Sequence, residues 1–366
     1  MNRTLLFQVL ATGPTLTRGR VAVLDGFVHA ERGAVRCPAA AALAADLGER
    51  LGRGAAVTRG EVVAGSDGDS VTVCVTYLDR DGHAIGLAAA VRTHDYEAID
   101  IVRQTMQSWG AAMRTRRVLI ADQPDCMTGE CPHRRMAHAS VLDFTHRSDT
   151  VVLIADRRRG QLVAADLATA ARNAGGSALI VIDPADVASV SAKVDPDALS
   201  FVIVPGIRIE VAMPILYTLR EYFPRLRGQH PDEYCYAASD LHESVRSVAE
   251  ASERLLVVSA SADEATSAAD VHGVPWHQIL GPADLRPSHL AAGTLGLIVA
   301  GGVADAGADA DASAITVDSV LDPLDLLDVL AGLGPLSVRR RSVRTEPCPR
   351  RVSHAVDLPV AGTVQA

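Results

Sequence analysis

Six short runs of apolar and β-branched residues recur along the chain: Arg117 to Ala121 (RVLIA), Thr150 to Ala155 (TVVLIA), Ala178 to Asp183 (ALIVID), Ser200 to Val204 (SFVIV), Arg254 to Ser259 (RLLVVS) and Leu295 to Ala300 (LGLIVA). Runs that are apolar throughout, rather than alternating with polar residues, suit strands covered on both faces. With helical stretches between them they predict parallel α/β units. The intervening helices are alanine-rich, as at Ala164 to Asn173 and Ala212 to Tyr222, the second stopped by Pro224. The pattern changes at 60–92, where 70–78 and 83–91 flank the turn sequence DRDG at 79–82 and predict a β-hairpin. Residues 301–314 are acidic and of low complexity, which reads as a surface loop. The basic RRRSVR at 339–344 opens a tail that contributes a strand before it frays.

A chain of 366 residues has room for two or three domains and a sizeable core. With 48% hydrophobic and 22% charged residues the composition is that of an ordinary soluble protein. Apolar runs such as Leu290 to Ala300 are interrupted and too short for a bilayer, so no membrane segment is expected. The opening MNRTLLFQVL is not followed by a small-residue cleavage site, and a cytoplasmic location is expected. A formal net charge of −9 argues against broad nucleic-acid binding, which needs a basic face. Lys193 is the single lysine and lies in SAKVDPD rather than in a P-loop, which excludes a Walker-type NTPase and disfavours Schiff-base chemistry.

The cysteines change the picture most. Cys37, Cys131 and Cys235 stand at nearly equal intervals, each where a strand gives way to a helix. In a reducing cytoplasm they read either as three buried structural residues or as thiolates converging from separate units on one metal centre. A cysteine at a helix start has its thiolate favoured by the amide dipoles. Three thiolates can hold a [4Fe-4S] cluster and leave one iron open to a substrate group. Of the others, Cys74 falls in the hairpin pattern and Cys348 in the tail. Cys126 makes a C-x4-C spacing with Cys131 in CMTGEC and is an alternative ligand or redox partner.

The motifs resemble the LytB/IspH family, the iron-sulfur 4-hydroxy-3-methylbut-2-enyl diphosphate reductases, over roughly 37–350. LREYFPRLRG followed by DEYCYAASDLHESVRSVAE is similar to the family's LRERFP segment and its ICYAT-N-RQ motif, and places Cys235 on the third cluster cysteine. TGECP places Cys131 on the second, and AVRCPAAAALAADLGERL places Cys37 on the first. LDLLDVLAGLGPLSVRRRSV, at 324–343, resembles the family's closing helix and strand. The resemblance implies a three-lobed α/β fold of small domains around a central cluster. It divides the chain into an N-terminal extension at 1–36, a first lobe at 37–131 holding the hairpin at 70–91, a second at 132–230, a third at 231–330, and a strand and tail at 331–366 packing on the first. It also implies a [4Fe-4S] cofactor held by Cys37, Cys131 and Cys235 and a ferredoxin- or flavodoxin-type electron donor.

The chain departs from that family where the family meets its substrate. ADRRRGQLVA stands in place of GHxGHPEVEG, with Arg159 on the second histidine and Gln161 on the proton-donating glutamate; a glutamine cannot act as a general acid. IVPGIR at 203–208 replaces the threonine-bearing TQTTLS. SASADEAT at 259–266 replaces a diphosphate loop and brings in Asp263 and Glu264, which would repel a diphosphate. His94 stands for the family's SAHG histidine and Ser319 for its late serine. Arg157, Arg158 and Arg159 follow a strand at the end where parallel α/β folds bind ligands. They read either as a solvated loop or as a site for a small anionic substrate. The expectation is an iron-sulfur reductase acting on an altered anionic substrate, with Gln161, Arg159 and His94 nearest the chemistry. The alternatives are an authentic isoprenoid-pathway reductase and a non-catalytic cluster protein.

Overall fold

The computed structural model describes residues 5–11, 13–16, 19–52, 57–61, 69–79, 81–121, 131–157, 160–192, 194–258, 263–299 and 323–345. They fall into two compact units, one formed by 1–123 with 241–343 and the other by 124–240 with 344–366. All six apolar runs are strands with parallel partners. Together with the helices between them they make the protein α/β, as the periodicity predicts.

The second unit is built on a four-stranded parallel sheet of β8 (Thr150–Ile154), β9 (Ala178–Val181), β10 (Leu199–Ile203) and β11 (Arg227–Gly228), in the order β11-β10-β8-β9. Its strands are buried on both faces because each face has its own helices. Val151 and Leu153 of β8 pack with Ala137, Val141 and Phe144 of the helix Pro132–His146 and with Ala164, Leu167 and Ala171 of the helix Gln161–Asn173. Val152 and Ile154 face the other way, onto Ala212, Ile215 and Leu219 of the helix Ile209–Tyr222. Spacings of three and four residues along these helices place the apolar stripe on the sheet. Asp149, fully buried at the foot of β8, accepts from Ser200 and pairs with Arg227, which ties β8, β10 and β11 together.

Strand order fixes where a ligand can sit. From β8 the chain returns through one face to β9, then crosses to the far side of β8 to enter β10. The reversal opens a crevice between the carboxyl ends of β8 and β10, the place where open α/β sheets bind ligands. The loops leaving those two strands hold each other: the Val204 amide donates to the Ile154 carbonyl at 2.9 Å. Gly160, at φ +80°, lies so close to Ile207 and Val204 that a Cβ there would stand 2.9 Å and 3.2 Å from their methyl groups.

The first unit carries two sheets. One is parallel, in the order β13-β12-β14-β7-β15, formed by β7 (Arg116–Ala121), β12 (Arg254–Val258), β13 (Trp276–Gln278), β14 (Thr294–Val299) and β15 (Leu336–Arg341). The basic tail segment is β15, an edge strand whose Arg339, Arg340 and Arg341 blunt the edge. The other sheet has six strands in the order β1-β5-β6-β3-β2-β4, with β4 at Val57–Glu61. In it β5 (Ser70–Leu78) and β6 (Ala84–Arg92) pair antiparallel through nine residue pairs, closed by a turn in which Asp79 accepts from the amides of Asp81 and His83. Residues 1–36 supply three further strands of this sheet, β1 (Leu6–Leu10), β2 (Val21–His29) and β3 (Gly33–Arg36). The helices Ala40–Leu51 and Tyr96–Ala112 pack together, and Trp109 Nε1 donates to the buried Asp46 carboxylate at 2.8 Å. Among the described residues no helix is long and apolar enough to cross a membrane.

Candidate metal centre

Cys131 and Cys235 lie 104 residues apart in the chain, yet their Sγ atoms stand 3.9 Å from each other in the second unit. Two thiolates bound to one tetrahedral metal atom through ~2.3 Å bonds stand about 3.8 Å apart, so the pair is already at ligand spacing. Local sequence explains each position. Pro132 favours an extended conformation for the residue before it, and Cys131 has φ −69° and ψ 116°. Proline is also pre-organised for the first helical position, so Cys131 becomes the cap of Pro132–His146. Cys235 follows a one-turn helix at Pro231–Glu233, capped by His230, and lies two residues before the helix Ala237–Glu250 begins. Tyr234 and Tyr236 flank it, their hydroxyls donating to the carbonyls of Gln229 and Pro231.

Electrostatics favour an anion here. The Cys131 thiol is held well below the usual thiol range, chiefly by the Cys235 thiol against it. Burial works in the opposite direction, and His133 and the backbone amides of Arg134 and His133 add to the lowering. A helix start normally attracts acidic side chains; this first turn has none and reads His133, Arg134, Arg135. Cations at the positive end of a helix dipole are unfavourable unless an anion offsets them, and a thiolate supplies one. His133 Nδ1 lies 3.8 Å from Cys131 Sγ. The donor atoms of Cys131, His133 and Cys235 are all within 4.8 Å of one another.

The helix after Cys235 is joined to the crevice. Ser239 Oγ accepts from the Ile209 amide at 3.0 Å and donates to Glu210 at 2.9 Å, fixing the loop that leaves β10 against the cysteine-bearing segment. On the same helix Asp240 accepts from the Thr345 amide and hydroxyl.

The remaining residues singled out by sequence are distributed as follows. Cys37 belongs to the first unit, 3% exposed in an apolar core with Cys74. Burial, then Cys74 and Asp25, push its thiol far above the ordinary range, and burial pushes Cys74 up to about 11. Arg157 is exposed and pairs with Asp183 at 3.2 Å. Gln161 opens its helix, donates to the Arg157 carbonyl at 2.9 Å, and borders an open groove of about 550 Å³ lined by Leu179, Ile182, Asp186 and Ser189. His94 is exposed, in the first unit. Cys126, Arg158, Arg159 and Ser319 lie outside the described residues. His133 was not singled out by sequence; the signal for it is the spacing Cys-x-His at a helix start.

No family model matches the chain. It is 26% identical over 205 residues to a 4-hydroxy-3-methylbut-2-enyl diphosphate reductase of Glaesserella parasuis, covering 54% of this chain and 61% of the relative. It is 27% identical over 232 residues to one of Chromohalobacter salexigens, covering 59% of this chain and 70% of the relative. The first match therefore spans about three fifths of that relative's length. Among solved structures, that of the E-1-hydroxy-2-methyl-but-2-enyl-4-diphosphate reductase of Plasmodium falciparum aligns with a TM-score of 0.41 at 15% identity, covering 63% of this chain and 73% of that one. By sequence the chain is similar to 4-hydroxy-3-methylbut-2-enyl diphosphate reductases over a little more than half of its length.

Proposed function

We propose that the chain is an iron-sulfur oxidoreductase that performs reductive chemistry on a small anionic substrate different from the one its relatives are named for. The observation that carries this reading is the convergence of Cys131 and Cys235, two distant cysteines whose sulfurs meet at 3.9 Å beside an imidazole. Thiolates are the protein ligands iron-sulfur clusters require, so the donor set fits. When bound, such a cluster supplies single electrons and a Lewis-acidic iron. A cubane, whose cysteines bind different irons, requires the two sulfurs to part by side-chain rotation.

The protein's own part is to bind and orient the substrate. The crevice at the carboxyl ends of β8 and β10 is bordered by Arg157 and by the loop at 204–208, which the Ser239 contact ties to the Cys235 segment. Guanidinium groups suit phosphate or carboxylate. The change of substrate rests on chemistry that this lining lacks. Gln161 can donate a hydrogen bond but no proton, and 203–208 carries no hydroxyl. The free thiols at Cys37, Cys74, Cys131 and Cys235 suit a reducing, cytoplasmic setting, and a ferredoxin- or flavodoxin-type protein would deliver the electrons.

Anaerobically purified full-length protein should contain iron and acid-labile sulfide with a visible charge-transfer spectrum. Cys131→Ser and Cys235→Ser should each lose both. Reduced protein should leave 4-hydroxy-3-methylbut-2-enyl diphosphate unconverted. Wild type free of iron after reconstitution would sink the cluster, and turnover of that diphosphate would sink the altered substrate.

A further inference from the structure

The outer edge of β15 carries a row of cations in a chain whose net charge is −9. Arg339, Arg340, Arg341 and Arg344 fall within six residues, and no acidic residue lies between Asp328 and Glu346. Among the described residues β15 pairs with β7 alone, and every residue from Ser337 to Thr345 is exposed. Arg339, Arg341 and Arg344 form no ion pair among the described residues, so their charge is not neutralised from within. Arg339 stands opposite Leu119 on β7 and Arg341 opposite Ala121. By the two-residue period of a strand these two arginines share a face. It is the face on which Gly296, the next neighbour of Leu119, lies against Val248 of the helix Ala237–Glu250. Past β15 the chain is held to that same helix, the Val343 amide donating to Ser244 Oγ at 2.9 Å and the Thr345 amide to Asp240 at 3.1 Å. The helix begins two residues after Cys235.

We propose that the exposed arginine strip at 339–344 is the docking face for an acidic, low-potential electron-transfer protein. The proposal rests on the iron-sulfur reading above, which needs electrons from outside the chain. Arginines on an edge strand deter pairing with another strand, and the same charges steer an acidic surface onto it. At about 3.3 Å per residue the strip is roughly 16 Å long, the scale of the small, charge-guided contacts that redox partners make. Val338 and Val343, 44% and 37% exposed, add apolar area beside the arginines. Nucleic acid is the less suitable occupant, because a long polyanion meets the acidic remainder of the chain beyond so short a strip.

The test uses the full chain with a plant-type [2Fe-2S] ferredoxin, an acidic one-electron donor, and a flavodoxin as the second probe. Wild type should bind ferredoxin and lose at least about ten-fold in affinity between about 50 mM and about 500 mM sodium chloride. Arg339→Glu with Arg341→Glu should bind at least about ten-fold more weakly, chiefly through slower association, and Arg339→Gln with Arg341→Gln should show a smaller loss. Arg147→Glu with Arg225→Glu, an equal change of charge at exposed positions elsewhere, should match wild type. In cluster-loaded protein the first variant should be reduced more slowly by ferredoxin but at the wild-type rate by dithionite. Binding of neither probe, equal affinity of wild type and the first variant, or an equal loss in the Arg147 and Arg225 variant would overturn the docking face. So would a single-stranded RNA oligonucleotide that binds more tightly than ferredoxin and is lost with the same two arginines. Protein that holds no iron yet binds ferredoxin through Arg339 and Arg341 would overturn the iron-sulfur reading and leave the docking face supported.

Discussion

Cys131 and Cys235 differ in what they need from each other. The Cys131 thiol ionises more readily than an ordinary thiol, and the contact with the Cys235 thiol is the largest cause. A group ionised more readily in the folded than in the unfolded chain stabilises fully above the unfolded thiol range, and that contribution disappears as pH falls through its lowered value. In metal-free protein, thiolate absorbance should therefore show one ionisation well below the ordinary thiol range, absent in Cys131→Ser and moved upward in Cys235→Ala. An unmoved titration in Cys235→Ala would mean that the helix start, not the partner thiol, holds the charge. Much of this residue chemistry was legible beforehand. Cys131 and Cys235 each stood in a short motif before a helix, and Cys-Pro alone implies a cap. His133 was not legible, because one histidine after a proline looks like any other in a helix, and only the distant Cys235 beside it gives it meaning.

Among the elements, the apolar runs were the most transparent, since a strand buried on both faces has no polar alternative. Which sheet each run joins was opaque: TVVLIA, ALIVID and SFVIV pair with one another, whereas RVLIA, RLLVVS and LGLIVA form a separate sheet. Pairing is decided by contacts between segments far apart in sequence, which a local pattern does not encode. The same holds for β2, whose VAVLDGFVH neither alternates cleanly nor stays apolar throughout, yet lies inside the six-stranded sheet. The loops at the crevice depend on one backbone position. Gly160→Ala puts a methyl group on a left-handed residue and against Ile207 and Val204, and should cost about 1–3 kcal/mol. Urea unfolding should show it as a lowered midpoint with an unchanged slope; an unchanged midpoint would mean the loop after β8 moves aside freely.

In the whole molecule the chain passes from the first unit to the second and back, so that 124–240 leaves and returns to the same body. The family resemblance implied three successive lobes. Nothing in a linear pattern shows that 241–343 completes the unit begun by 1–123. The net charge of −9 was informative in another way, since it made local arginine groups such as 157–159 and 339–341 stand out from an acidic background. The position of the two close cysteines within the excursion has a mechanical consequence. Cys131 lies near its beginning and Cys235 near its end, so a metal bridging them is a clasp on a ring of about a hundred residues. While both thiolates stay bound, the strands between them can open only as a closed ring. By the relation for a covalent loop of about 100 residues, that removes about 4.7 kcal/mol of chain entropy from the opened state. Stripping iron should lower the unfolding midpoint of the protein in calorimetry, and Cys235→Ser should unfold at the stripped value; equal midpoints with and without iron would mean that the clasp is slack. A cluster held there would make its loss to oxygen an unlatching event as well, loosening the sheet of the second unit together with the loss of the metal.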